Sequence, residues 1–356
     1  MVMKRTLVLL LVLVMSMALF AGVANSTDAT RDIRLASHNA IIEGNPYRVR
    51  YEADIQEAAA DAINYGFNVS YASFVSNWDA GIEAQQIQNS INEGFDIILV
   101  NPVSATGMDP LIERAQEAGI LYINADCIYT SPDVDILNIA TDQYYLGYHT
   151  GSYAGEVLGE GAKVVLIAAM EGVTANTDRQ EGFMDAIEEY GLEVVATGNH
   201  DWDAALATQV MTEILNTGVE FDGVLISQCA EAALIAFDAT GTPYPKFMGF
   251  NDTQMWMQRM IDLNKDEVVM PFMVLSNPPG VGATALNFGL NILLGKELKD
   301  DIYDDPSIRS ILLPSLIWFN DQNMDEFLWL PETLEGPDDA ITYWLTVEEV
   351  AEEYFQ

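Results

Sequence analysis

"GEGAKVVLIAAMEGVTANTDRQEGFMDAI" occupies residues 159–187 and joins three local patterns. Residues 163–168 form a short, continuously apolar run once Lys163 is passed, which is typical of a strand buried on both faces. A polar loop follows, and residues 180–190 then place apolar side chains at helical spacing. Strand, loop and helix in this order predict one unit of a parallel sheet covered by helices.

The same unit recurs on both sides of this stretch. Predicted strands fall into two series, with amphipathic segments between them and a break in rhythm at 141–147. The first series is 33–37, 68–72, 96–101, 120–124 and 137–140; the second is 163–168, 193–197, 223–227 and 246–249. We therefore predict an α/β protein with two doubly wound parallel-sheet lobes.

Charge limits the partners that such a protein can have. The 356 residues carry a formal net charge of −39, which repels phosphate backbones and anionic membrane surfaces. We therefore expect no nucleic-acid partner. The acidic residues are spread along the chain, which favours a salty environment where screening relieves self-repulsion.

The first 24 residues predict a secretory signal peptide. Lys4 and Arg5 precede an apolar run at 7–20, and Gly22-Val23-Ala24 offers a cleavage site. The apolar run is too short to favour a stable membrane span, and no cysteine follows it to carry a lipid. We expect residues 1–24 to be removed, leaving a soluble periplasmic or otherwise extracytoplasmic protein.

Motifs for catalysis are missing from the sequence. The three histidines lack metal-ligand spacing, and the chain has no Gly-x-Ser-x-Gly elbow, no Walker loop and no Gly-x-Gly-x-x-Gly after the first strand. Pairs such as Asp201 and Asp203 arise by chance in so acidic a chain. We expect no enzyme, no metal and no cofactor, with a secreted α/β enzyme kept as an alternative.

Unusual polar and aromatic residues gather in the loops that follow the predicted strands, where sheets of this class bind ligands. Neutral sugars need side chains that donate and accept hydrogen bonds, together with an aromatic platform. The polar candidates are Asn45, Arg48, Asp126, Arg179 and Asn251, and the aromatic ones are Tyr47 and Trp202. Asn45 could instead only initiate the Asn-Pro turn.

Over roughly residues 33–323 the chain resembles the periplasmic sugar-binding proteins of ABC transporters, in the two-lobed ribose- and galactose-type group. The opening stretch is similar to the family segment whose arginine grips the sugar, which implies that role for Arg179. "DWD" at 201–203 matches an Asp-aromatic-Asp motif, and "GFND" at 249–252 matches Gly-Phe-Asp. "NPYR" at 45–48 and "NPVSATGMDPLIERAQEAGI" at 101–120 resemble the galactofuranose-binding branch.

Three positions depart from the family pattern. Cys127 stands where the family has an arginine, Cys229 where it has an amide, and Asn251 where it has a carboxylate. Ribose or glucose specificity therefore cannot be carried over. We expect a deoxy, furanose or otherwise modified sugar, because a buried polar group left unpaired costs about 1–3 kcal/mol.

The resemblance also suggests weaker site candidates, and it raises the question of whether the two cysteines form a disulfide. Ser276 lies near the family's last ligand contact, and the weaker candidates are Cys127, Gln228, Cys229, Asp252 and Asn277. The two cysteines would face the cleft from opposite lobes. Free thiols and a disulfide across the cleft are both open at this point.

The resemblance implies the type I periplasmic binding protein fold, with a three-strand hinge. The implied N-terminal lobe is 32–140 plus 279–310, the C-terminal lobe is 141–277 plus 320–356, and the hinge crossings lie near 140–143, 275–280 and 311–320. It implies a monomeric receptor that closes on a monosaccharide or small polyol and delivers it to an ABC permease. A chemosensory receptor of the same fold is the alternative.

Overall fold

The computed structural model describes residues 30–43 and 45–356, so the predicted signal peptide lies outside it. The described residues form two six-stranded sheets. The first contains β1 (Arg31–Asn39), β2 (Phe67–Val75), β3 (Ile97–Val100), β4 (Leu121–Ala125), β5 (Leu137–Thr141) and β11 (Ser310–Leu313). The second contains β6 (Lys163–Ala168), β7 (Glu193–Asn199), β8 (Gly223–Ile226), β9 (Phe247–Gly249), β10 (Phe272–Leu275) and β12 (Trp318–Asn320).

Helices cover both faces of each sheet. The first lobe has α1 (Pro46–Asp61), α2 (Ala80–Glu93), α3 (Asp109–Glu117), α9 (Val281–Leu293) and α10 (Val347–Tyr354). The second has α4 (Gln143–Leu158), α5 (Thr174–Tyr190), α6 (Ala204–Thr217), α7 (Ala230–Thr240) and α8 (Gln254–Asn264). Among the residues described, no helix combines the length and apolarity that a membrane crossing needs.

The strand order is alike in the two sheets and leaves a crevice at the corresponding point of each lobe. The first sheet runs β11-β5-β4-β3-β1-β2 with every pair parallel, and the second runs β12-β10-β9-β8-β6-β7 with only β12 antiparallel. The order reverses between β1 and β3 and again between β6 and β8, where flanking loops diverge and leave room for a ligand. The predicted fold class is confirmed, and every strand predicted from the sequence is present.

The C-terminal end corrects the expected lobe division. The resemblance implies that residues 320–356 belong to the second lobe, and Ile341 does pack in that lobe's core. Val347, Val350 and Tyr354, however, pack in the core of the first lobe, with the Tyr354 ring 4.9 Å from that of Phe288. These three residues form one apolar face of α10 that needs burial. The chain therefore passes between the lobes a fourth time, between 341 and 347.

Candidate functional site

A cavity of about 430 Å³ lies between the two lobes. Twelve of the thirteen residues predicted for the site line it: Asn45, Tyr47, Arg48, Asp126, Cys127, Arg179, Trp202, Gln228, Cys229, Asn251, Asp252 and Asn277. The structure therefore brings them together from sequence positions up to 232 residues apart, from Asn45 to Asn277. Their roles in ligand binding stay predictions.

Ser276 is the predicted residue that does not line the cavity. Its side chain is fully buried, with Oγ 3.0 Å from Oγ of Ser315 and 3.1 Å from the hydroxyl oxygen of Tyr343. Ser315 and Tyr343 belong to two other connections between the lobes. The Ser276 hydroxyl thus ties three connecting segments together and does not point at a ligand.

The first lobe presents Arg48 from the start of α1. The helix begins at Pro46 after Asn45, whose Oδ1 accepts a hydrogen bond from the Arg48 backbone N–H at 3.0 Å. This is a regular N-cap followed by proline at the first helical position. The Asn45 side chain is therefore used in capping, as its turn interpretation predicts.

Side chains behind Arg48 hold its guanidinium in place. The group donates to Oδ1 of Asn39, and Nδ2 of Asn39 donates to Oε1 of Glu52 at 3.1 Å. The guanidinium carbon also lies 5.0 Å from the centre of the Trp78 ring, within cation–π range. Arg48 is only 5% exposed, so its orientation is set within the first lobe.

Asp126 follows β4 and is held by two donors. Its Oδ1 accepts from the Tyr47 hydroxyl at 2.7 Å, and its Oδ2 accepts from Nδ2 of Asn101 at 2.8 Å. Burial, followed by the nearby Asp126 charge, raises the pKa of Tyr47, which therefore stays a hydrogen-bond donor. The carboxylate is thus oriented before any ligand arrives.

Arg179 lies on α5 in the second lobe and is 1% exposed. Its guanidinium donates to Oε1 of Gln143 and to Oγ of Ser227, the latter at 3.3 Å, and lies 5.5 Å from the centre of the Trp202 ring. Burial lowers the pKa of Arg179 to about 10, although the charges of Asp126 and Asp252 act in the opposite direction. No carboxylate among the described residues forms a salt bridge with it. A buried, cationic donor without a counter-ion is suited to hydroxyl oxygens.

Close packing of α4 against α5 places Arg179 beside Gln143. A Cβ at Gly147 of α4 would collide with the backbone carbonyl of Arg179, and one at Gly151 would lie 2.6 Å from Cβ of Ala186. The absence of side chains at these positions lets the two helix backbones approach. Gln143, the first residue of α4, therefore reaches the Arg179 guanidinium.

Gln143 also connects the cavity to the interlobe connections. Its Nε2 donates to Oδ1 of Asn277 at 2.9 Å, and the backbone N–H of Asn277 donates to Oδ2 of Asp252 at 2.8 Å. Asp252 is fully buried, its Oδ1 has no partner among the described residues, and burial raises its pKa to about 7. A chain of hydrogen bonds thus runs from Arg179 through two of the connections between the lobes.

Both cysteines are free, so the disulfide alternative is not realised in the structure. Cys127 is buried and Cys229 is partly exposed, each in a cavity-lining loop. Burial is the first cause that raises the pKa of each thiol above its ordinary value. The cysteines are therefore neutral lining groups, not reactive thiolates.

Sequence reasoning missed Trp78, although a signal for it was present. "NWD" at 77–79 repeats the pattern of "DWD" at 201–203, and each motif follows the second strand of its lobe. Trp78 and Trp202 both have left-handed backbones, with φ of +61° and +62°. Such conformations are uncommon outside glycine and concentrate at functional sites.

Glu231 is a second residue that sequence reasoning missed. It lies at the start of α7 and accepts a hydrogen bond from Nδ2 of Asn251. Asp338, shortly before the fourth connection between the lobes, also lines the cavity. Burial first, and in part the Asp338 charge, raises the pKa of Glu231. One of the predicted ligand groups, Asn251, is therefore already bonded to protein.

Comparison with known proteins finds one family and many structures of the same shape. The family model for a periplasmic binding protein domain matches residues 41–297. A ribose import binding protein of Salmonella typhimurium is 28% identical over 243 residues, which cover 68% of this chain and 79% of that protein.

Two solved structures illustrate the shared fold. An ABC transporter solute binding protein from Thermobispora bispora has a TM-score of 0.73 at 21% identity, covering 90% of this chain and 94% of its own. A solute binding protein from Bacillus halodurans with bound myo-inositol has a TM-score of 0.69 at 20% identity, covering 85% and 99%.

Proposed function

The chain belongs to the periplasmic binding protein family, as its sequence predicts, and we propose that it captures an uncharged monosaccharide or small polyol and delivers it to an ABC permease. One observation carries the proposal: two arginine–tryptophan pairs line the same cavity from opposite lobes. They are Arg48 with Trp78 and Arg179 with Trp202. A sugar offers ring hydroxyls to the guanidinium groups and an apolar face to the rings.

Charge in the cavity supports a neutral ligand. Among the described residues, the lining contains two guanidinium groups and six carboxyl groups, those of Asp126, Asp201, Asp203, Glu231, Asp252 and Asp338. Sugar phosphates and sugar acids would meet this excess of like charge inside a chain that is already strongly acidic. We therefore expect such anions to be rejected.

Contacts from both lobes support a binding mechanism by closure. A ligand that touches Arg48 and Arg179 together stabilises the closed arrangement over an open one, because only the closed one offers both sets of bonds. Hydrogen bonds to charged groups contribute about 1.5–3 kcal/mol each. We expect the exported chain to act as a monomer, without catalysis, and to present its closed face to the permease.

Thermal melting tests this proposal. Refolded protein in high salt is melted against pentoses, hexoses, furanosides, polyols, galacturonate and glucose 6-phosphate. We expect one neutral compound to raise the midpoint by several degrees, because a ligand bound only to the native state stabilises it, and the two anions to have no effect. A flat panel from folded protein, or chemical turnover of the bound compound, would contradict the proposal.

A further inference from the structure

One side of the cavity is apolar although both lobes contribute to it. Cys127 and Trp78 come from the first lobe, and Val173 and Ala175 come from the second. Cys127, Val173 and Ala175 are 4%, 5% and 7% exposed, and all four residues line the cavity. We call these four residues the apolar wall.

Polar groups beside the apolar wall are partly engaged within the protein. Both carboxylate oxygens of Asp126 accept hydrogen bonds from protein donors, and the Arg48 guanidinium donates to Asn39 and stacks on Trp78. The Cys127 thiol is only a weak donor, 3.9 Å from Asp126. A ligand hydroxyl that faces Cys127, Val173 and Ala175 and lies out of reach of the Arg48 donors would lose its water and find no strong new partner.

The lining near Asp252 and Arg179 is different. Oδ1 of Asp252 and Nε of Arg179 are buried with no partner among the described residues. Oδ1 of Asp252 can accept a bond from a ligand hydroxyl, and Nε of Arg179 can donate one. Hydroxyl groups are therefore favoured near Asp252 and Arg179 and disfavoured where the ligand meets only the apolar wall.

We infer that the ligand meets the apolar wall with a carbon atom that carries no hydroxyl, so that the protein selects deoxysugars or polyols with a methyl or methylene edge. This inference rests on the proposed function. The wall gains from burying the carbon, and it penalises the hydroxylated analogue because that hydroxyl goes unpaired.

Matched sugar pairs that differ by one hydroxyl test the inference. We would titrate D-fucose against D-galactose, L-rhamnose against L-mannose, and 2-deoxy-D-ribose against D-ribose by calorimetry. We expect the deoxy member of one pair to bind at least about tenfold more tightly, which corresponds to about 1.4 kcal/mol.

Two variants locate the preference at the wall. Cys127→Ser and Val173→Thr each add a hydroxyl of similar size to the wall, and each should reduce the deoxy preference several-fold. Cys229→Ser is the matched control, because it makes the same chemical change elsewhere in the cavity. We expect it to change the affinity of both members of a pair by the same factor.

The outcomes are distinct. If the hydroxylated member binds as tightly as its deoxy partner, or if the preference survives Cys127→Ser and Val173→Thr, the inference is wrong while the proposed function stands. If neither member of any pair binds and the wider melting panel is flat, the proposed function fails and the inference fails with it.

Discussion

The two halves of the cavity present similar arginine–tryptophan pairs to a ligand, but different hydrogen bonds hold the two arginines in place. In each lobe an arginine on a helix lies over a tryptophan whose loop has a left-handed backbone. Behind Arg48 the hydrogen bonds stay within the first lobe, through Asn39. Behind Arg179 they run through Gln143 and Asn277 to the connections between the lobes.

This difference assigns the halves different tasks. A ligand bound to Arg48 contacts a side chain that is hydrogen-bonded only within the first lobe. We therefore expect the first lobe to hold the ligand without responding to it. A ligand bound to Arg179 acts on a guanidinium that is hydrogen-bonded to the hinge. We therefore expect the second half to couple ligand binding to lobe closure, and the following variants test this division.

Arg179→Met should have the largest effect. It removes the buried cation and about two charged hydrogen bonds to the sugar, which predicts at least about a hundredfold weaker binding. Calorimetry with the sugar found by melting measures the change. Arg259→Met is the control, because Arg259 is an exposed arginine paired with Asp238, where ion pairs contribute little.

Folding of the ligand-free Arg179→Met protein should not suffer in proportion. Removing a buried charge that lacks an ion-pair partner relieves a desolvation cost. A variant that binds the sugar within threefold of the wild type would show that Arg179 is structural, and the comparison between the halves would lose its basis.

The pH dependence of stability gives the next largest effect. Asp252 belongs to the hinge-linked half, and burial raises its pKa to about 7 from an unfolded value near 4. The native state therefore holds a proton that the unfolded state has released, so this contribution to stability is full below about pH 4 and is lost as the pH rises to about 7. We expect Asp252→Asn to reduce the fall in unfolding free energy between pH 5 and 7 by about 2 kcal/mol.

Glu83 is the matched control for that experiment. Burial also raises its pKa to about 7, but it lies in the first lobe, accepts from the backbone N–H of Val103 and is not among the residues that line the cavity. Denaturation at several pH values should show that Glu83→Gln also reduces the fall in unfolding free energy between pH 5 and 7. Only Asp252→Asn should also weaken sugar binding, and equal effects on binding would contradict the assignment.

The sequence predicted the residues that line the cavity better than the residues that hold the two arginines in place. Strands and their loops could be located because buried parallel strands are continuous apolar runs and ligand residues follow them. Arg179 and Asp126 could be chosen because they follow predicted strands and match binding segments of the family that the chain resembles. Trp78 was missed because the repeat of "NWD" and "DWD" becomes meaningful only when the lobes are seen to be equivalent.

Residues that support the arginines could not be chosen from sequence. Gln143 is one amide among many, and its importance depends on how closely α4 packs against α5, which is set by Gly147 and Gly151. The expected lobe assignment of the chain's C-terminal end was wrong for a similar reason. The apolar face of α10 is visible in the sequence, but the partner that covers it is set by tertiary packing.

Gln143→Leu should have a moderate effect. It removes one acceptor of Arg179 and the donor to Asn277 while keeping a similar volume, so we expect about tenfold weaker binding. Small-angle scattering should also show a smaller ligand-driven decrease in the radius of gyration. Asn39→Leu is the matched variant behind Arg48, and it should weaken binding without changing the extent of closure. If both variants change closure equally, the two halves do not differ as proposed.

Thr174→Val should have the smallest effect, and it acts where the halves meet. Oγ of Thr174, at the start of α5, accepts from the backbone N–H of Ile128 in the first lobe at 2.8 Å. In an open state water would satisfy that N–H, so the variant should destabilise only the closed state, by about 1 kcal/mol. Every sugar that binds should then be weakened by the same factor of about five. Thr177→Val removes a hydroxyl that bonds only within its own helix segment, and it should leave binding unchanged. A loss of affinity that differs between sugars would show instead that Thr174 contacts the ligand and belongs to the selective part of the cavity.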